Sequence, residues 1–378
     1  MEYCSLIQLK TTMMNNFLTL FIAAFVFISC AKEKDPIIGN PGLAAQGEWS
    51  IPLNRILDGG PGKDGIPALD EPIFVSPQEA TYLDDDELVI GHSSAQESKA
   101  YSHLVMNWHE IANDWFGQEP VAVIYCPLTG TATGWHRKLN NQVTTFGVSG
   151  LLYNANVIPY DRNTDSNWSQ LTLECVNGEL IGTRPEMVNL LETSWSTWKT
   201  FFPDTEVLST ETGFDRSYGV YPYGSYRTSE GLIFQVKDSD DRLHPKERVH
   251  SIISGDYVKA YRFSNFPETA AGIILDNVEG QNVVVIGSQT QNFIVSFFEK
   301  QINDEVLTFS LPSDDLYTNG NFTSSVILTD QFGNNWNAFG YAVTGPNEGD
   351  QLTPTMGIMG YWFPWTSFYT TVDIYGEQ

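Results

Sequence analysis

The chain repeats itself, and a chain built from two like copies must give both copies one architecture. Lys99-Ala100-Tyr101 recurs as Lys259-Ala260-Tyr261, and Val121-Ala122-Val123-Ile124 returns as Val283-Val284-Val285-Ile286. Thr145-Phe146 is echoed by Thr308-Phe309, Asp161 and Trp168 by Asp330 and Trp336, and Trp195, Trp198 and Phe201 by Trp362, Trp365 and Phe368. The offset stays between 160 residues (99 to 259) and 169 residues (161 to 330) throughout, which unrelated matches would not do. Most of the repeated residues are β-branched or aromatic, the types that suit a pleated, half-buried surface. The expected fold is therefore mainly β, of α+β type: two tandem duplicated β-rich units, each ending in an aromatic helix. Residues 65–240 form the first repeat and 241–378 a second, degenerate one.

Composition agrees with a β-rich body. Charged residues make up 17% of the chain, below the roughly 25% of an average soluble protein, while 10 Trp, 17 Tyr and 22 Phe supply aromatic core. Strand character and turn clusters place strands at Leu88–Ser93, 100–108, 121–125, 131–137, 143–148, Asn156–Asp161 and 168–172. Helices are expected at 77–83, behind Ser76 as cap; at 109–116, where Ile111 and Trp115 stand four apart; and at 190–202, where Trp195, Trp198 and Phe202 form a stripe stopped by Pro203. With 20 basic against 46 acidic residues the net charge is −26, which repels phosphate backbones and argues against a nucleic-acid partner.

The amino terminus reads as an address. Residues 17–28 are uninterruptedly apolar yet shorter than the roughly 20 residues that span a bilayer. Ser29 and Cys30 close the run before the polar AKEKD, an arrangement that resembles the bacterial lipoprotein signal. On that reading 1–29 is a signal peptide, Cys30 carries lipid, and 30–64, rich in Pro, Gly and Asn, is a tether. The protein then sits in the cell envelope, held to a membrane in the periplasm or at the outer membrane of a Gram-negative-type cell. Of four cysteines, Cys4 would be removed and Cys30 lipidated, leaving Cys126 and Cys175, whose pairing stays open.

Cys126 has the best claim to chemistry. It ends the apolar strand on a Cys-Pro turn, where a reactive group commonly sits, and the second copy has Ser288 in its place. A thiol becomes a nucleophile when a neighbouring cation or amide lowers its pKa, and His109 is the nearest imidazole in sequence. Asn107-Trp108-His109-Glu110 also lacks a counterpart around Phe266. Glu110, Asn113 and Asp114 are placed to orient that histidine, and Ser169 and Gln170, replaced by Asn337 and Ala338, are candidates to line the same site. His109 and Cys126 with one carboxylate would suit zinc or copper, but the paired spacing of a dedicated metal motif is missing. The acidic run at 84–87 lacks the alternating ligands and central glycine of a calcium loop and reads as a solvated turn. Gly147-Val148-Ser149-Gly150 is not a nucleophile elbow, and no glycine-rich turn has a phosphate-cradling pattern. No cofactor is called for by any motif.

Asn107 to Asp114 (NWHEIAND), Tyr125-Cys126-Pro127-Leu128, the stretch TFGVSGLLYN from Thr145, Tyr160-Asp161-Arg162, Trp168-Ser169-Gln170-Leu171 and Pro203-Asp204-Thr205 together resemble the bacterial DUF3179 family, strongly over 65–248 and weakly beyond. No activity comes with the resemblance. Some members are selenoproteins, which implies redox chemistry at a cysteine of that turn. The family commonly shows Cys-Pro-Leu-Cys, whereas Thr129 stands fourth here, so a two-thiol cycle within the turn is excluded. Two readings remain. One is a thiol-dependent, redox-type site at Cys126 and His109. The other is a non-catalytic envelope module that binds a small molecule or a protein, with Cys126 as packing or with a His/Cys metal site, so whether the chain is an enzyme stays open.

Overall fold

A computed structural model describes residues 47–377, except positions 95 and 314. The signal-type segment and residues 30–46 of the expected tether, Cys30 included, lie outside the described residues, while Ile56–Asp58 of that tether is a strand paired with Phe146–Tyr153. Among those described, no helix is long and apolar enough to cross a membrane. The described residues all belong to one compact unit.

The protein is mainly β. In the leading half an antiparallel pair, Leu88–Ser93 and Ser98–Ser102, is flanked by Leu191–Ser194, antiparallel, and by Glu206–Leu208, parallel. In the trailing half Arg248–Ser254 and Tyr257–Arg262 are flanked in the same polarity by Gly357–Tyr361 and Thr371–Ile374. The meander Ile111–Phe116, Glu119–Cys126, Thr131–His136 has the strand order of Ala271–Val278, Gln281–Ser288, Phe293–Phe298. Trp168 and Trp336 are both fully buried, and each donates its indole N–H to an aspartate: Asp161 at 3.1 Å and Asp330 at 3.0 Å. Lys99 and Tyr101 meet Asp114 at 3.2 and 2.6 Å, and Lys259 and Tyr261 both meet Asp276 at 2.7 Å.

The halves interlock. Tyr361 donates its amide to Thr129 at 2.8 Å, bringing the strand Gly357–Tyr361 beside Thr131–His136, and Thr193 donates to the Gln291 carbonyl at 2.8 Å. Trp195, Trp198 and Phe201 consequently share one hydrophobic cluster with Phe293, Phe322 and Phe339 of the trailing half. A second cluster holds Ile124, Cys126, Trp135, Phe146 and Trp168 together with Tyr361 and Phe363.

Local structure departs from the sequence expectation at several places: the strand expected at 143–148 runs Phe146–Tyr153, and the one expected at 168–172 stops at Ser169, with 170–172 in a turn. The helix expected at 109–116 lies earlier, at His103–His109, where Ser102 caps it by accepting from the Val105 amide at 3.3 Å; the strand expected over 100–108 therefore stops at Ser102, and 111–116 is a strand. A spacing of four places residues on one face of a strand as well as of a helix, so Ile111 and Trp115 did not discriminate. The helix expected at 190–202 is a strand, Leu191–Ser194, followed by a helix, Trp195–Phe201, divided at the cap Ser194. Residues 77–83 form turns rather than a helix: Glu79 folds back onto the Ser76 hydroxyl at 2.7 Å, but no second helical turn follows. Arg162 pairs with Asp64 and Asp70, and Lys63 with Asp165.

Candidate functional site

The helix His103–His109 delivers the Asn107-Trp108-His109-Glu110 segment to the end of the central strands. Glu110 terminates it with φ of 59°, a left-handed conformation costly for a residue with a Cβ. Its amide donates to the Met106 carbonyl at 2.8 Å and its own carbonyl accepts from Tyr125 at 2.7 Å, so the backbone is held on both sides. That reversal divides the segment, sending His109 one way and Glu110 another.

His109 is fully buried. Its Nδ1 lies 2.7 Å from the Pro67 carbonyl and its Nε2 2.7 Å from the Tyr218 hydroxyl. A carbonyl can only accept, so Nδ1 carries the proton and Nε2 accepts from Tyr218. Burial lowers the imidazole's pKa, with the Pro67 carbonyl opposing. Both nitrogens are thus engaged away from Cys126.

Cys126 is 1% exposed and its thiol points at the Ala155 carbonyl, 3.8 Å away. Burial, reinforced by Glu110, pushes that thiol up to about 11. Cys175 is also a buried free thiol, raised by burial to about 12. A reactive pair needs a depressed thiol pKa and a cationic imidazole, and burial here moves both in the opposite direction.

Of the other sequence candidates, Asn113 is tied into the backbone, exchanging hydrogen bonds with the Phe146 amide and carbonyl at 2.8 Å each. Asp114 neutralises Lys99. Ser169 accepts from the Thr172 amide at 3.4 Å. Gln170 is fully buried, accepting from Thr131 at 2.8 Å and Asn156 at 2.7 Å and donating to the Ile124 and Thr131 carbonyls. Thr129 belongs to the same net through Thr131 and Asn156, at 2.9 Å each. Asn113, Gln170 and Thr129 tie separate strands together, Asp114 is committed to its lysine, and Ser169 closes a local turn. Among the described residues, no group of three or more His, Cys, Asp or Glu is placed to hold a metal ion.

Glu110 differs from them, because its carboxyl reaches a cavity of about 330 Å³. The walls include Asn107, Trp108, Leu128, Leu152 and Val157 and, from the strandless segment 209–247 that links the sheets of the two halves, Arg216, Tyr223 and Phe234. Burial raises the Glu110 carboxyl to about 8, partly offset by a hydrogen bond from Tyr223. At neutral pH the group is mostly a protonated acid, with an O–H to donate.

The motif segments 107–114, 125–128 and 145–154 meet at this cavity and turn. The chain belongs to the DUF3179 family. The family model, described as a protein of unknown function, matches residues 63–372. No curated protein and no solved structure matches. In this DUF3179 chain the sequence pointed to Glu110 but missed Tyr223 and Phe234. Their segment carries no periodicity; its only signal is the aromatic run Tyr218 to Tyr226.

Proposed function

We propose that this protein is a non-catalytic, lipid-anchored cell-envelope module that binds a small, largely apolar molecule in the cavity beside Glu110. The observation that carries the reading is a cavity of about 330 Å³ with mostly hydrophobic walls and a few polar side chains, Asn107, Glu110 and Arg216, the common form of a small-molecule site. The ligand it suits has an apolar body and a hydrogen-bond acceptor. Cys126 is packing on this reading; its burial and raised pKa weigh against the redox-type alternative.

Two further parts of the proposal rest on the sequence and the topology. The apolar run 17–28 followed by Ser29-Cys30 supports export and lipidation at Cys30. The matching strand orders and the paired Trp–Asp and Lys–Tyr–Asp contacts support two copies of one unit, 65–240 and 241–378, of which only the first keeps the cavity.

Binding is tested with the neutral dye N-phenyl-1-naphthylamine. Saturable fluorescence enhancement that is abolished in Val157→Trp, which fills the cavity, supports the reading. Enhancement that is absent, or unchanged by that substitution, refutes it. For the anchor, Cys30→Ser should release the protein from the membrane fraction of an expressing cell; unchanged membrane association would sink that part.

A further inference from the structure

The segment between the halves brings cations to a place that neither half supplies alone. A second, smaller cavity of about 150 Å³ is lined by His103, Tyr125 and Glu192 from the leading half, Arg227 from the connecting segment, and Lys246 and Arg248 from the start of the trailing half. Three cations face one carboxylate there, in a chain whose net charge is −26. An excess of two positive charges, partly withdrawn from water, is a strong local departure from the acidic field of the whole.

The existing contacts do not use these groups up. Arg248 donates through two nitrogens to Glu192, at 2.6 and 3.1 Å, and through the third to Asn292 at 2.7 Å. Lys246 reaches the Ser229 and Gly231 carbonyls, at 2.6 and 2.5 Å, which leaves one of its three ammonium hydrogens. Arg227 donates to Asn107 at 3.1 Å and stacks on Tyr221, its guanidinium 4.1 Å from the ring centre.

His103 supplies a second, independent observation. Its ring is 3% exposed and lines this cavity, with Nε2 3.4 Å from Glu192, and Nδ1 has no hydrogen-bond partner among the described residues. Glu192 can only accept, so Nε2 carries the proton, and because burial lowers the imidazole's pKa the ring is neutral and Nδ1 is an acceptor. A buried acceptor left unpaired costs roughly 1–3 kcal/mol, so a ligand O–H belongs there.

We propose that this cavity binds a small oxyanion, a phosphate or a short carboxylate, held by Arg227, Lys246 and Arg248; an anion that keeps a proton, as hydrogen phosphate does, donates its O–H to His103 Nδ1. Its volume equals about five waters at the liquid density, which admits one oxyanion group with a short substituent. Burial lowers the Lys246 ammonium pKa, and an incoming anion restores it. The site is separate from the apolar cavity, sharing with it only the Asn107–Arg227 contact.

Isothermal titration of the full chain with inorganic phosphate, sulfate and succinate, at constant ionic strength and neutral pH, tests the proposal. Saturable binding of at least one anion, weakened about tenfold or more in Arg227→Gln, is expected. In the unmodified protein the ring-nitrogen resonances of His103 should shift along the same isotherm, a readout that does not depend on the variant folding. Preference for phosphate and sulfate over succinate assigns a phosphate-type ligand, and the reverse a carboxylate. No saturable heat and no movement of His103 up to about 10 mM of any of the three, or binding that Arg227→Gln leaves unchanged, overturns it. Dye binding in the apolar cavity should survive Arg227→Gln, so the two proposals fail separately.

Discussion

Glu110→Gln should change how stability depends on pH, by an amount the structure fixes. The folded protein holds the Glu110 proton up to about 8, because burial penalises the carboxylate, whereas the reference value for an exposed glutamate is 4.5. A folded-state pKa raised above the unfolded one means that the folded state binds more protons between the two values, so stability is full below about 4.5 and falls as pH rises through about 8. At 1.36 kcal/mol per pH unit, the interval from 4.5 to about 8 amounts to about 5 kcal/mol lost by about pH 9. Glutamine keeps the shape and a donor but does not titrate. Urea unfolding of both proteins at about pH 5 and about pH 9 isolates this group, since other titrating residues cancel in the difference between the two profiles. The expected result is a variant that gains on the parent by several kcal/mol at the alkaline end relative to the acid end. Parallel profiles would show that the Glu110 carboxyl ionises freely, and the protonated donor of the proposed site would go with it.

Three other outcomes follow from the same coordinates. With its pKa at about 11, Cys126 is thiolate in only about one molecule in 10⁴ at pH 7, so alkylation of the folded protein should be slow and unaffected by His109→Ala, and Cys126→Ser should fold normally; rapid labelling slowed by that histidine change would restore the thiol site. Asp114→Asn leaves the buried Lys99 with only the more exposed Glu97, at 3.3 Å, and should cost about 1.5–3 kcal/mol in urea unfolding, more than Asp276→Asn, whose lysine is more exposed; equal costs would contradict the burial argument. A Cβ added at Gly91 would lie inside the Trp198 ring, so Gly91→Ala should destabilise by about 3 kcal/mol or more, seen as a lower Tm; an unchanged Tm would mean that the strand and the helix are not in contact as described.

Strands whose signal is local were legible, and Leu88–Ser93 and Asn156–Asp161 have the bounds that their turn residues announce. The helix boundaries were not, because Ser102 and Ser194 each divide one apolar stretch into a strand and a helix, and a single capping hydroxyl outweighs the periodicity around it. At the site, Glu110 was named as an accessory to His109, and its left-handed backbone, which turns the carboxyl toward a cavity, has no signature in a glutamate. Tyr223 and Phe234 lie in a segment without strands, placed by long-range contacts such as Tyr226 to the Leu128 carbonyl at 2.9 Å and Trp108 to the Val220 carbonyl at 3.2 Å. Contacts separated by about a hundred residues leave no local pattern.

Comparison of the halves changes what the cysteine-to-serine difference means. Cys126 and Ser288 occupy the same place, the last residue of the middle strand of each meander. Ser288 accepts from the amide of Gln291, three residues on, at 3.2 Å; the Cys126 sulfur accepts from the amide of Thr129, also three residues on. Both side chains close the turn, and a weak sulfur acceptor does there what a hydroxyl does. The difference that bears on function lies across the strand. Tyr125 in the leading half corresponds to Gly287 in the trailing half, where an added Cβ would lie 2.5 Å from the Phe266 ring. Phe266 therefore occupies the space that the leading half gives to Tyr125, at the stretch where the trailing half lacks the Trp108 and Glu110 segment. A buried aromatic ring, Tyr125 or Phe266, fills that place in both halves, and what the leading half adds is the Trp108–Glu110 segment and the cavity it lines with Leu128. The asymmetry that matters is thus one of volume rather than of sulfur.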